Sequence, residues 1–142
     1  MEKSYPCLWF NHQAREAVGF YSQLFPDTYL IRDQGSVLIF NLVGQKFMAL
    51  DGNNSTVFNK SFSMVVECDD QAEIDRYWNA LIEGGEEQMC CWLKDRYGLS
   101  WQIVPKSLGI WMSGANALKV METLLKMRKP IWHPLEEAAM GL

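Results

Sequence analysis

What most constrains this chain is an order of elements that occurs twice. Cys7-Leu8-Trp9-Phe10 reads as a short strand ended by the polar turn Asn11-His12-Gln13. Ala14, Ala17, Val18, Tyr21, Leu24 and Phe25 then fall at the spacing of one apolar helix face, and Pro26 stops it. Three extended runs follow, Thr28 to Asp33, Val37 to Val43 and Lys46 to Leu50, divided by Gln34-Gly35-Ser36 and Gly44-Gln45, breaks of hairpin length. After a loop from Asp51 to Ser55, extending toward Lys60, the order restarts. Phe62 to Cys68 is a strand, and Asp69-Asp70 supplies N-cap chemistry. Ile74, Tyr77, Trp78, Leu81 and Ile82 form a second helical stripe closed by Gly84-Gly85, and the runs Gln88 to Lys94 and Leu99 to Val104 flank the turn Asp95-Arg96-Tyr97-Gly98. At an offset of 57 residues Phe20-Tyr21 falls on Tyr77-Trp78 and Leu24 on Leu81. An internal duplication of strand, helix and antiparallel strands predicts an α+β protein with helices on one face of each sheet.

At 142 residues, with about half of them hydrophobic, the chain has the size and core of one domain. Its boundaries are module one at about 5–52, module two at about 61–105 and a helical tail at 106–142. A net charge of −4 without a basic block excludes a general electrostatic grip on nucleic acid or anionic lipid. No apolar run reaches signal-peptide or membrane-span length, which predicts a soluble, cytoplasmic protein with no membrane partner. Cys7, Cys68, Cys90 and Cys91 contain no C-x-x-C pair and read as reduced, strand-buried thiols, Cys90 or Cys91 being the candidate for reactivity with Lys94 nearby. His12 and His133 are too few for a histidine-rich metal site.

Beyond Pro105 the spacing predicts a helix with Ala117, Leu118, Met121, Leu124 and Leu125 on one stripe, and a last short helix from Leu135 to Met140. Trp111, Met112 and Trp132 need cover, from the same chain or from a second copy.

Several segments resemble a known family: Cys7-Leu8-Trp9-Phe10-Asn11, Phe20 to Pro26, Lys46 to Leu50, Asp75-Arg76-Tyr77-Trp78 and, most specifically, the Trp-Leu-x-Asp-x-x-Gly-x-x-Trp-Gln stretch from Trp92 to Gln102. Over roughly residues 5–130 the chain resembles the PhnB-like branch of the vicinal oxygen chelate superfamily, often labelled demethylubiquinone methyltransferase, with glyoxalase, bleomycin-resistance and extradiol dioxygenase relatives. The resemblance implies two βαβββ modules forming a U-shaped mixed sheet around a cleft, in a homodimer. In metal-dependent members the cleft holds a divalent ion, at positions that fall here near Pro6, Ala49, Ser63 and Gln102. These residues depart from a hard-ion ligand set at every position, so the expectation is a cleft with no metal and no cofactor.

Strand alternation in that fold would turn Leu8, Phe10, Val65, Glu67, Ser100 and Gln102 toward the cleft, and Trp9, Met64, Val66, Trp101 and Ile103 toward the helices. Glu67 is the candidate general base or charged partner for a small organic ligand, with Gln102 beside it, in an aromatic pocket of Phe10, Phe40 and Trp92. The bland alternatives are a Glu67 paired with a basic residue or at an open edge, a Gln102 that satisfies backbone groups, and a purely turn-forming Asp95 and Gly98. Methyl transfer from S-adenosylmethionine in a doubly wound fold needs a Gly-rich turn after the first strand, and no G-x-G occurs. Three readings remain: a metal-free binder of a small, partly apolar molecule; a lyase, isomerase or dioxygenase-like enzyme using Glu67, or an ion held by Glu67 and Asp51; and a drug-sequestering protein of the bleomycin-resistance type.

Overall fold

A computed structural model describes residues 3–53 and 56–142. Asn54 and Ser55 of the expected loop lie outside the described residues. The chain divides into two compact units, residues 1–58 and 59–142.

In the first unit the order is β1 (Cys7–Asn11), α1 (Ala14–Leu24), β2 (Tyr29–Asp33), β3 (Val37–Leu42) and β4 (Gln45–Gly52). The sheet runs β1-β4-β3-β2, with β1 parallel to β4 and the other pairs antiparallel. This is what a helical crossover followed by two hairpins produces. Helix α1 buries Ala14, Ala17, Val18, Tyr21 and Leu24, the stripe read from the spacing. Cross-strand partners Leu8, Ala49 and Leu38, with the pair Phe40 and Phe47, supply the core face of the sheet.

The expected alternation of β1 is inverted. Leu8 and Phe10 are buried in the core, whereas Trp9 is 41% exposed on the opposite face, its indole lying over Gly52. The turn into the helix accounts for the difference between the modules. β1 reaches α1 through His12 in the left-handed region (φ 56°), whereas β5 reaches its helix through the extended Asp70 (φ −158°). The helices therefore superpose at an offset of 57 while the first strands differ in parity, and a one-residue slip exchanges the two faces.

The second unit repeats the plan: β5 (Ser63–Cys68), α2 (Gln71–Leu81), β6 (Glu86–Glu87), β7 (Trp92–Lys94) and β8 (Ser100–Pro105), in the order β5-β8-β7-β6. Again the crossover pair, β5 and β8, is parallel. Asp70, the N-cap, accepts from the Glu73 amide and Glu73 accepts from the amide of the preceding Asp69, both at 2.9 Å, so two backbone donors at the start of α2 are satisfied. Ile74, Tyr77, Trp78 and Leu81 are buried beneath it against Met64, Val66, Trp101 and Ile103 of the sheet. The run from Gln88 to Lys94 is not one strand: Cys90 and Cys91 both adopt left-handed backbone (φ 59° and 76°), so they sit in a turn between β6 and β7.

The tail forms α3 (Leu108–Met112), α4 (Ala117–Leu124) and α5 (Trp132–Ala139) and packs on its own chain. Val120, Leu124, Leu135 and Ala138 close over Cys91 and Val104, and Trp111 meets Trp132 edge-on at 5.5 Å. Of the expected stripe on α4 Leu124 is buried, joined by Val120, while Leu118, Met121 and Leu125 are exposed. Polar ties reinforce the docking. Gln71 receives the Trp132 amide at 2.6 Å and donates to the Pro130 carbonyl at 3.1 Å, and Lys129 pairs with Asp75 at 2.8 Å.

Candidate functional site

The motif from Trp92 to Gln102 is first a folding device. Asp95 is buried and its Oδ1 accepts the amides of Tyr97 (2.9 Å) and Leu99 (3.0 Å), while Oδ2 accepts the indole N–H of Trp101 at 2.9 Å. Gly98 supplies the left-handed residue (φ 91°) that closes the turn. Asp95 and Gly98 therefore hold β7 and β8 in register, with Trp101 locked in the core.

That register assembles the candidate site. Trp92 stands opposite Gln102, and Gln102 opposite Val65, so the three side chains form a row across β7, β8 and β5 on the face turned away from α2. Glu67 lies on the same face, roughly 7 Å further along β5, two residues at about 3.3 Å each. Its carboxylate is exposed and makes no ion pair or hydrogen bond among the described residues. Gln102 donates through Nε2 to Ser63 Oγ at 3.0 Å. Trp92 is half-buried and Val65 is 54% exposed, so the row offers apolar surface around two polar groups.

The remaining candidates do not join it. Phe10 and Phe40 are core residues of the first unit, Phe10 packed edge-on against Phe58 at 5.4 Å and Phe40 against Phe47 at 5.9 Å. Asp51 accepts the Ala14 amide at 2.8 Å, so its carboxylate serves the start of α1, where the helix dipole favours a negative charge. Both outcomes follow from the parity of β1 and β4, which turns Phe10 and Asp51 to the helix side together.

A divalent ion does not fit the donors. Ser63 and Gln102 are neutral and occupied with each other, Ala49 is buried on the core face, and its neighbours Met48 and Leu50 offer a thioether and an alkyl chain. Among the described residues no three His, Cys, Asp or Glu side chains cluster. Hard cations require charged oxygen donors that this set lacks.

Next to the row, sequence reasoning missed a surface pocket of about 360 Å³ in which Trp92 is joined by Lys60, Arg128, Gln88 and Met89, with Glu86 and Glu87 on its wall. No local spacing signals it, because Arg128 arrives from the tail: the Cys90 and Cys91 amides donate to the carbonyls of Met127 (3.0 Å) and Arg128 (2.9 Å). Of the thiols, burial pushes Cys91 and Cys68 up to about 12, which leaves both protonated and inert at neutral pH.

Comparison with known proteins agrees with this architecture. No protein of curated function matches the chain. Among solved structures, a putative 3-demethylubiquinone-9 3-methyltransferase, PhnB protein, from Bacillus cereus is 29% identical over 73% of this chain and 99% of its own, with a TM-score of 0.66. Protein PA1353 from Pseudomonas aeruginosa (23% identity, 75% and 98% covered, TM-score 0.61) shares the fold. So does the fosfomycin resistance protein FosX from Listeria monocytogenes, solved with Mn(II) and sulfate (13% identity, 74% and 91% covered, TM-score 0.56). The model of the 3-demethylubiquinone-9 3-methyltransferase family matches residues 2–104, both modules but not the helical tail, and the chain belongs to that PhnB-like family of the vicinal oxygen chelate superfamily.

Proposed function

We propose that this protein binds a small, partly apolar organic molecule on the open face of the second module's sheet, without a metal ion. The observation that carries this reading is the juxtaposition of Trp92, Gln102 and Glu67 on one solvent-facing surface, with the Glu67 carboxylate uncommitted among the described residues. An aromatic platform with a few convergent polar groups is the usual make-up of a ligand site. The neutral Ser63–Gln102 pair supports metal-free binding, in contrast to the Mn(II) complex of the FosX relative. Both sheets are mixed hairpin meanders and lack the doubly wound parallel sheet of Rossmann-type methyltransferases, which speaks against methyl transfer of that type despite the family's description. Four unpaired cysteines support a reducing, cytoplasmic setting. The apolar residues exposed on β2 and α4, Leu30, Ile31, Leu118 and Leu125 among them, support a homodimer.

The test has two arms. Protein purified without chelator or affinity nickel is analysed for metals, and a stoichiometric divalent ion would defeat the metal-free reading. Compounds found by thermal-shift screening are then titrated into Glu67→Gln, which is expected to weaken binding about tenfold, the loss of one charged hydrogen bond. Unchanged affinity for every such compound would move the site off this face.

A further inference from the structure

The pocket beside Trp92 is lined by charges of both signs. Lys60, from the segment before β5, and Arg128, from the tail, form no ion pair among the described residues. The edge strand β6 contributes Glu86 and Glu87, only partly engaged: Glu86 meets Lys94 in an exposed pair at 3.5 Å, and Glu87 uses Oε2 to accept the Trp78 indole at 2.8 Å. Next in sequence, Gln88 Oε1 is shielded from solvent and has no hydrogen-bond partner among the described residues. Such an acceptor costs stability unless something donates to it. In the same lining the half-buried Trp92 and the exposed Met89 offer aromatic and thioether surface.

We propose that this pocket binds a small zwitterionic organic acid of amino-acid size with an apolar body. Its carboxylate lies against Arg128 and Lys60, its ammonium against Glu86 and Glu87, and its side chain against Trp92 and Met89. A simple anion would meet two carboxylates and a simple cation would meet two basic groups, so a ligand carrying both charges suits the mixed lining. The volume of about 360 Å³ lies at the small end of ligand pockets, which run from roughly 300 to 1,000 Å³. The site is built at a strained place: two successive left-handed residues without a glycine, Cys90 and Cys91, aim both amides at the tail and fix Arg128 beside Trp92. Arg128 lies beyond the residues matched by the family model, so the completed pocket belongs to chains that carry this tail. The inference stands independently of the open-face site, with which it shares Trp92.

The experiment uses the full chain, isotope-labelled for NMR, titrated with L-phenylalanine, 3-phenylpropionate and 2-phenylethylamine. L-Phenylalanine is expected to move the Trp92 indole and Gln88 side-chain amide resonances, and each singly charged analogue to bind at least about tenfold more weakly. Arg128→Ala, at an exposed position, should weaken L-phenylalanine binding at least about tenfold with its spectrum otherwise native, Arg128→Lys should recover part of it, and Glu67→Gln should leave it unchanged. Unmoved Trp92 and Gln88 resonances, equal binding of the three probes, or native affinity in Arg128→Ala would each overturn the proposal. Loss in Glu67→Gln with no loss in Arg128→Ala would overturn it while supporting the open-face site.

Discussion

Asp95 offers the sharpest test of how the sequence organises this module. Its two oxygens hold three donors, the Tyr97 and Leu99 amides and the Trp101 indole, at 2.9 to 3.0 Å, in a position only 2% exposed. Asp95→Ala removes all three acceptor contacts and leaves the indole N–H facing a void. At about 1.5 kcal/mol for each hydrogen bond to a charged acceptor, less the relief of no longer burying a carboxylate, the expected loss is about 4 kcal/mol. For a chain of this length that lowers Tm by roughly 10–15 °C. Asp95→Asn keeps one oxygen for the turn amides but presents N–H to the indole, so about half that loss is expected. Substituting Trp101 by Phe removes the indole donor and with it the donor-to-donor clash, so Asp95→Asn should cost at least about 1 kcal/mol less in the Trp101→Phe background than in the native one. Urea unfolding followed by circular dichroism of the four proteins measures the cycle. A cost below about 1 kcal/mol for Asp95→Ala, or strict additivity in the cycle, would refute the assignment of the motif to structure.

Three further outcomes are expected. A Cβ at Gly85 would lie 2.1 Å from the Lys94 carbonyl oxygen and 3.0 Å from the Asp95 backbone, whereas one at Gly109 meets nothing within 4 Å. Gly85→Ala should therefore destabilise by about 2 kcal/mol or more and Gly109→Ala, inside α3, should be neutral or stabilising by about 0.5–1 kcal/mol, compared by thermal melts; similar effects at both sites would contradict the packing. The thiols make the pH dependence. Cys68 and Cys91 rise from an ordinary 9.0 to about 12 through burial, so the unfolded chain releases these protons first. Stability is full below the unfolded value near 9 and drains as pH climbs toward 12, and a urea midpoint unchanged between about pH 8 and about pH 10.5 would count against it. In native protein near pH 8 a thiol reagent should label Cys7 and Cys90 and spare the other two.

Much of the fold was legible because it rests on local periodicity. The helix stripes at Ala17, Tyr21 and Leu24 and at Ile74, Trp78 and Leu81, the caps at Asp69-Asp70 and Gly84, and the hairpin breaks all act over one or two turns of chain. Strand facing was legible in β5 and β8, where buried Met64, Val66, Trp101 and Ile103 alternate with Val65, Glu67 and Gln102. It failed in β1 because Cys7 to Phe10 is apolar at every position, and the parity was set by a left-handed residue at His12 that no pattern of hydrophobicity encodes. With that parity Phe10 and Asp51 lie together on the helix side, and Phe40 packs on Phe47. The stripe on α4 failed in part: Leu118, Met121 and Leu125 share its spacing, but Val120 is the residue that joins the expected Leu124 on the surface that Cys91 and Val104 present.

The same contrast explains why half of the pocket was invisible. Trp92 could be nominated from its motif because Asp95 and Gly98 dictate its register within seven residues. Lys60 and Arg128 stand 68 positions apart and are united only when the tail docks. What fixes that docking is the pair of amides at Cys90 and Cys91, held in a conformation that costs about 1–3 kcal/mol for each non-glycine residue outside the common regions. A chain retains such strain when the surrounding contacts over-determine it. Here they include two backbone hydrogen bonds to Met127 and Arg128 and a buried apolar cluster beneath α4 and α5. The strained turn therefore serves the tail, and the tail's contribution to the surface pocket is Arg128.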